Sequence, residues 1–141
     1  MSLRANRPAA PPAAPGPRLA AATVLVVEDH DFQRRTMLQI LANLGASALL
    51  EAADGAGALA VVAGGAVPDV VLCDLDMPGI DGVAFLRELA ARGVDAEVVI
   101  VSGLEGSRLA AAEQAARAAG VRLRGTITKP LTARRLLAVL Q

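Results

Sequence analysis

Five polar residues in this chain each stand at the end of a stretch that the residue pattern predicts to be a β-strand. They are Asp74, the neighbours Glu28 and Asp29, Ser102, and Lys129. Carboxylates bind hard divalent cations, and an aspartate can also act as a nucleophile toward phosphorus. A hydroxyl and an ammonium group can donate to phosphoryl oxygens and neutralise their charge. If the fold brings them together, these residues support phosphoryl transfer to an aspartate.

The elements that must position these residues are predicted from apolar runs and their periodicity. Predicted strands cover residues 23–27, 49–50, 70–74, 97–101 and 123–128. Predicted helices cover residues 32–44, 55–63, 83–91, 107–119 and 133–140. Five alternations of strand and helix favour an α/β fold with a parallel sheet, doubly wound with helices on both faces. The strand carboxyl ends then share one edge, where such folds bind ligands.

A metal ion is expected at this edge because clustered carboxylates repel one another and a divalent cation relieves the repulsion. The predicted ligands of Mg²⁺, with Mn²⁺ as a substitute, are Asp29, Asp74, Glu28 directly or through water, and the backbone carbonyl of Asp76. Asp74 is the predicted nucleophile, through its second carboxylate oxygen. Lys129 would neutralise charge on the phosphoryl oxygens, and the Ser102 hydroxyl would donate to the group once transferred.

Simpler interpretations of the same residues stay open at this point. An aspartate such as Asp74 often follows a strand as a turn starter or helix cap. Glu28 and Asp29 could serve only to complement the dipole of the following helix. Ser102 taken alone is typical of a turn. His30 has no partner histidines, so a structural role at the start of a helix explains it better than a role as a ligand.

Lys129 is more informative because it is the only lysine of the chain, beside 13 arginines. Arginine is evidently the general surface cation here, so the compact charge of a lysine points to a specific role. Pro130 follows directly and fixes the path of the chain as it leaves the strand.

Composition limits the function classes. The chain has 141 residues, 54% hydrophobic and 20% charged, so one domain with a real core is expected. A formal net charge of zero and only two aromatic residues argue against direct nucleic-acid binding. No apolar run reaches the ~20 residues of a membrane span, so we expect no membrane contact and a cytoplasmic location. Residues 1–21 are predicted as an Ala/Pro-rich disordered tail or linker, and residues 22–141 as the domain.

Four motifs occur in order along the predicted domain. They are Val-Leu-Val-Val-Glu-Asp-His (24–30), Asp-Leu-Asp-Met-Pro-Gly-Ile-Asp-Gly (74–82), Val-Ile-Val-Ser-Gly (99–103) and Thr-Lys-Pro (128–130). Together they resemble the receiver domain of bacterial two-component response regulators. The resemblance implies a flavodoxin-like five-stranded sheet of order 2-1-3-4-5.

The resemblance also implies a function and its residues. A sensor histidine kinase or a phosphotransfer protein would supply a phosphoryl group from phosphohistidine to Asp74. Mg²⁺ would lie at Glu28, Asp29 and Asp74, and Ser102 and Lys129 would sense the phosphate. The chain would not turn over a substrate as an enzyme, apart from slow loss of its own phosphoryl group. Its output would pass to a domain of the same longer chain or to a separate effector.

The switch region departs from the family pattern. The family usually places a Tyr or Phe three residues before the lysine, and here that position is Thr126. The predicted switch region is therefore Gly103, Leu104, Thr126 and Pro130, with the loop after Ser102 carrying the signal. The segment from residue 120 to residue 129 is also longer than is common. In this it is similar to receivers of cyclic-di-GMP phosphodiesterase regulators.

Two other function classes remain as alternatives. A phosphate-independent binding module could keep the fold, and the missing aromatic side chain favours this. The sequence Asp74-Leu75-Asp76 also resembles the Asp-x-Asp of haloacid-dehalogenase-type phosphatases. That motif normally follows the first core strand, whereas here it follows the third. A phosphatase predicts continuous turnover, and a receiver predicts one covalent phosphoryl group per chain.

Overall fold

Strands and helices alternate in the order that the hydrophobic pattern predicts. The structure, a computed structural model, describes residues 19–75 and 82–140. The strands are β1 (Thr23–Val27), β2 (Ala48–Ala52), β3 (Val70–Asp74), β4 (Glu97–Ser102) and β5 (Arg122–Thr128). The helices are α1 (Asp31–Asn43), α2 (Gly55–Ala63), α3 (Gly82–Ala91), α4 (Gly106–Ala118) and α5 (Ala133–Leu140). A short 3-10 turn over Leu19–Ala21 precedes β1. Residues 1–18 and Asp76 lie outside the described residues.

The five strands form one parallel sheet in the order β2-β1-β3-β4-β5, which confirms the predicted fold. Its register decides which residues meet at the carboxyl edge. Val27, the last residue of β1, pairs with Cys73, so Glu28 and Asp74 follow at the same level. Ser102 pairs with Thr128, so Ser102 and Lys129 end their strands side by side. The central order places β1, β3, β4 and β5 next to one another at this edge.

The core consists of two layers, one on each face of the sheet, because strand side chains alternate between faces. One layer packs strand residues such as Leu25 and Val71 against α2, α3 and α4, with Phe85 as its largest fully buried side chain. The other packs strand residues such as Val26 and Leu72 against α1 and α5. The central strands are apolar on both faces, as expected for a parallel sheet covered by helices.

Helix caps and one bulge set the local geometry. The Asp54 carboxylate accepts from the Gly57 N–H at 2.7 Å and so caps α2, and the Thr132 hydroxyl accepts from the Arg135 N–H at 3.2 Å at the start of α5. Between Val98 and Val99 the pairing with β5 skips Arg124, which accommodates one extra residue in the long segment before Lys129. Within the described ranges, no helix has the length and apolar character needed to cross a membrane.

Candidate functional site

The carboxyl end of β1 places one buried and one exposed carboxylate. Glu28 is fully buried, and its Oε2 accepts from the His30 N–H at 3.1 Å. Its backbone carbonyl accepts from Arg34 Nη1 at 3.0 Å, and Arg34 is itself held by Asp31. Asp29 is exposed. The turn into α1 therefore fixes Glu28 inside the fold and leaves Asp29 facing outward at the same edge.

Asp74 ends β3 and is only 2% exposed. Carboxylate oxygens of Asp74, Glu28 and Asp29 all lie within 4.8 Å of one another. The sequence-predicted acidic cluster is thus assembled by the strand register. The predicted backbone ligand Asp76 falls on the part of the chain that the structure does not describe.

Lys129 supplies the cation of the site. Its Nζ lies 3.2 Å from Asp74 Oδ2 and 3.1 Å from Glu28 Oε1. It also donates to Gln33 Oε1 at 2.9 Å, a contact between residues 96 positions apart in the chain. The peptide bond between Lys129 and Pro130 is cis. Gln33 was not predicted from the sequence, and its only signal was its place one helical turn after Asp29.

Burial and the opposite charge of the partner group shift the pKa values of Glu28 and Lys129 in opposite directions. Burial raises the pKa of the Glu28 carboxyl, with repulsion from Asp74 adding to it, while the His30 N–H and Lys129 partly offset the rise. Burial alone would lower the pKa of Lys129, but its contacts with the carboxylates of Glu28 and Asp74 raise it above its usual value. The ammonium is therefore held charged between carboxylates that are crowded against each other.

Ser102 and the loop after it form the opposite wall. Ser102 is 1% exposed, and its Oγ accepts from the Leu104 N–H at 2.9 Å. That hydroxyl keeps its own hydrogen for donation toward the site. Gly103 is exposed with open space beside its Cα, and Leu104 is half-buried against the core. The loop is thus anchored at both ends and open in the middle.

The predicted switch residue Thr126 lies away from the acidic cluster. Its hydroxyl donates to Glu113 Oε2 of α4 at 2.6 Å. Pro130 is exposed and lines a neighbouring apolar cavity of about 420 Å³ together with Phe32, Met37 and Leu131. Phe32 is 67% exposed. The structure therefore separates these two switch residues, Thr126 facing α4 and Pro130 facing α1.

One open cavity of about 420 Å³ unites the polar residues. Its described lining comprises Glu28, Asp29, His30, Gln33, Asp74, Ser102, Gly103, Leu104, Arg108 and Lys129. Cys73 takes no part, since it is fully buried in the core, and burial raises the pKa of its thiol. The cavity combines hard oxygen donors, a hydroxyl and two cations, which is the set that phosphoryl transfer requires.

The donor set fits a divalent cation of the magnesium type. Three carboxylates against one ammonium leave the cluster with an excess of negative charge that such an ion neutralises. Glu28 Oε1 is fully buried, and among the described residues its contact is the ion pair with the Lys129 ammonium at 3.1 Å, an ammonium that Asp74 shares. Buried carboxylates that share a single ammonium keep unbalanced negative charge, which a metal cation would neutralise.

Comparison with known proteins agrees with this geometry. Residues 24–141 match the family described as response regulator receiver domain. A chain of the CheX-CheY-BeF3-Mg complex from Borrelia burgdorferi has a similar fold, with a TM-score of 0.72 and 27% identity over 84% of this chain and 86% of that one. The chain belongs to the response regulator receiver domain family. The predicted resemblance is confirmed.

Among curated proteins, the chain is similar to the cyclic di-GMP phosphodiesterase RocR of Pseudomonas aeruginosa. The two are 34% identical over 117 residues, which is 83% of this chain and 30% of RocR. The response regulator GacA of the same organism is 35% identical over 102 residues, covering 72% of this chain and 48% of GacA. The chain spans less than a third of the length of the first curated relatives it matches.

Proposed function

We propose that this domain is a phosphoacceptor in two-component signalling and that Asp74 carries the phosphoryl group. The observation that carries the proposal is the position of Asp74. Its side chain ends the central strand β3, lines the polar cavity, and lies 3.2 Å from the lone lysine ammonium. An aspartate held beside two carboxylates and a cation is suited to bind a metal with one oxygen and to attack phosphorus with the other.

Mg²⁺ is the proposed cofactor, and Mn²⁺ its substitute. Glu28, Asp29 and Asp74 would hold it, together with the backbone carbonyl of Asp76. When bound, the ion supplies electrostatic stabilisation of the transferring phosphoryl group. Support comes from the donor chemistry, since the three carboxylates are clustered and two of them share the single ammonium of Lys129.

The proposed reaction is an in-line transfer from a phosphohistidine. A carboxylate oxygen of Asp74 attacks phosphorus and forms an O–P bond while the N–P bond of the donor breaks. The electron pair of that bond remains on the imidazole nitrogen, which takes up a proton. Lys129 neutralises charge on the phosphoryl oxygens, and Ser102 donates to one of them after transfer. The domain thus accepts one phosphoryl group and loses it slowly, and turns over no other substrate.

The proposed donor is a sensor histidine kinase or a phosphotransfer protein. The exposed Phe32 and the apolar cavity beside Pro130 give such a partner an apolar surface next to Asp74. The output partner is a domain of the same longer chain or a separate effector. We propose a cytoplasmic location and no direct partner among nucleic acids or membranes.

The test is phosphorylation by a small acyl-phosphate donor with Mg²⁺, followed by intact mass. The proposal predicts one phosphoryl group per chain, lost with EDTA and with Asp74→Asn. Asp95→Asn is the matched control, because Asp95 is an exposed carboxylate paired with Arg122 before β4 and far from the site. Absence of an adduct despite Mg²⁺ binding contradicts the proposal and favours a phosphate-independent module. Continuous release of phosphate favours a phosphatase.

A further inference from the structure

The first turn of α4 carries a guanidinium group at the phosphoacceptor cavity. Arg108 lines that cavity with Asp74, Ser102 and Lys129, and its side chain is exposed. Among the described residues it makes no hydrogen bond or ion pair. Even Glu105, three residues earlier, does not pair with it. Its donors are therefore not engaged by any described group at a site that must receive an anion.

The charge of the site changes on phosphorylation. With a divalent cation bound, the three carboxylates are balanced by the metal and by the ammonium of Lys129. A phosphoryl group on Asp74 replaces the single charge of that carboxylate by about two negative charges, as other phosphorylated side chains carry near pH 7. One further negative charge then has no described counterpart except Arg108. The shortage of positive charge in the site is largest while the dianionic donor approaches and its phosphoryl group is transferred.

Lys129 alone does not supply the positive charge and the hydrogen-bond donors that the phosphoryl oxygens require. Its ammonium has three donors, and three oxygens already surround it within 3.2 Å, from Glu28, Asp74 and Gln33. It reaches a phosphoryl oxygen only by giving up one of them. A guanidinium adds up to five donors in a planar fork that matches phosphate oxygens in pairs.

We propose that Arg108 binds phosphoryl oxygens of the donor and of phosphorylated Asp74 as a second cation beside Lys129. The inference rests on the proposed function and adds a phosphoryl-contacting residue to it. Arg108 follows Ser102 by six positions, so its engagement also connects the phosphoryl group to the first turn of α4. An exposed cation at the mouth of the cavity also raises the local concentration of anionic donor.

The experiment compares Arg108→Gln with Arg108→Lys and a matched control. Arg117→Gln is that control, because Arg117 is exposed on the same helix but ~13 Å farther along it, beyond the ~8 Å screening length at physiological salt. We expect Arg108→Gln to lower the rate constant for phosphorylation by a small acyl-phosphate donor about fivefold, Arg108→Lys to recover part of it, and Arg117→Gln to leave it unchanged.

Two binding measurements separate anion contact from a structural defect. Arg108→Gln should weaken binding of beryllium trifluoride, followed by fluorine NMR, by about the same factor. It should leave Mg²⁺ affinity, measured by calorimetry, unchanged or tighter, because it removes a positive charge from the mouth of the metal site. The inference is overturned if Arg108→Gln weakens Mg²⁺ binding as much as it weakens binding of beryllium trifluoride. It is also overturned if Arg108→Gln is phosphorylated at the wild-type rate. If the wild-type chain takes no phosphoryl group, the proposed function itself fails.

Discussion

The Thr126 hydroxyl donates a 2.6 Å hydrogen bond to Glu113 and thereby joins β5 to α4. Thr126 stands where the receiver family usually has an aromatic ring, three residues before Lys129. Both ends of the contact are half-buried. The strand that leads into Lys129 is thus connected to α4 by a polar contact. Through this contact α4 is tied to the strand that ends beside the site.

Removing the Thr126 hydroxyl should weaken the fold measurably. Thr126→Val keeps the shape of the side chain but leaves the Glu113 carboxylate without its donor, at a cost of about 1 kcal/mol. Thr126→Ser keeps the hydroxyl and should lose less. Urea unfolding followed by far-ultraviolet circular dichroism measures both, since the chain has no Trp or Tyr. Equal stability of Thr126→Val and wild type would show that the contact contributes nothing.

Glu28 should stabilise the metal site at the expense of the metal-free fold. Burial raises the pKa of its carboxyl, so folding disfavours the charged form. Glu28→Gln should therefore raise the free energy of unfolding in EDTA near pH 7 and weaken Mg²⁺ binding by about tenfold or more. Calorimetry and urea unfolding measure the two effects. Loss of stability together with unchanged Mg²⁺ affinity contradicts the proposed role.

The same group sets a pH dependence in EDTA. Because its pKa is raised from 4.5, the folded chain binds more protons than the unfolded chain above that value, so this contribution to stability falls as pH rises through the raised pKa. Lys129 adds no slope there, since the stability from its raised pKa is lost only at alkaline pH. Urea unfolding from about pH 4 to pH 8 should show the advantage of Glu28→Gln growing with pH. A difference in the free energy of unfolding between Glu28→Gln and wild type that stays constant across this pH range contradicts the prediction.

Gly82 should tolerate no side chain. A Cβ there would lie 2.5 Å from Leu75 Cα and 2.7 Å from the Asp74 carbonyl oxygen, both backbone atoms at the end of β3. Gly82→Ala should cost about 1–3 kcal/mol and slow phosphorylation, because the end of β3 must shift. Gly64→Ala is the matched control, since a Cβ there would meet only ordinary contacts at 3.5 Å, its φ is −76°, and it lies at the end of α2 outside the cavity lining. Unfolding and phosphorylation rates of both variants test this, and equal effects contradict it.

The fold could be predicted from the sequence because each strand and helix is marked by a short stretch of its own residues. The apolar runs ending at Val27 and Asp74 mark strands buried on both faces, and the glycines after the helices mark where these end. Convergence of Glu28, Asp74 and Lys129 then follows from parallel strands sharing one edge. Boundaries differ from prediction by a few residues at most, as for α1, which begins at Asp31 rather than residue 32.

The contacts between elements could not be predicted in the same way. Gln33 bonds to Lys129 only because α1 is rotated to face the end of β5, and Glu113 meets Thr126 only because of how α4 lies on the sheet. Such rotations depend on the packing of the whole core. A glutamine, an arginine or a threonine also carries no spacing signal, since these residues are common on any surface.

The central claim is that Asp74 itself carries the phosphoryl group. The most direct measurement is to phosphorylate the chain with Mg²⁺, reduce the aspartyl phosphate with borohydride to homoserine, and locate homoserine by peptide mass spectrometry. Homoserine is expected at position 74 alone, and none in the presence of EDTA. Homoserine at Asp29 or at another carboxylate, or phosphorylation that persists in Asp74→Asn, would contradict it.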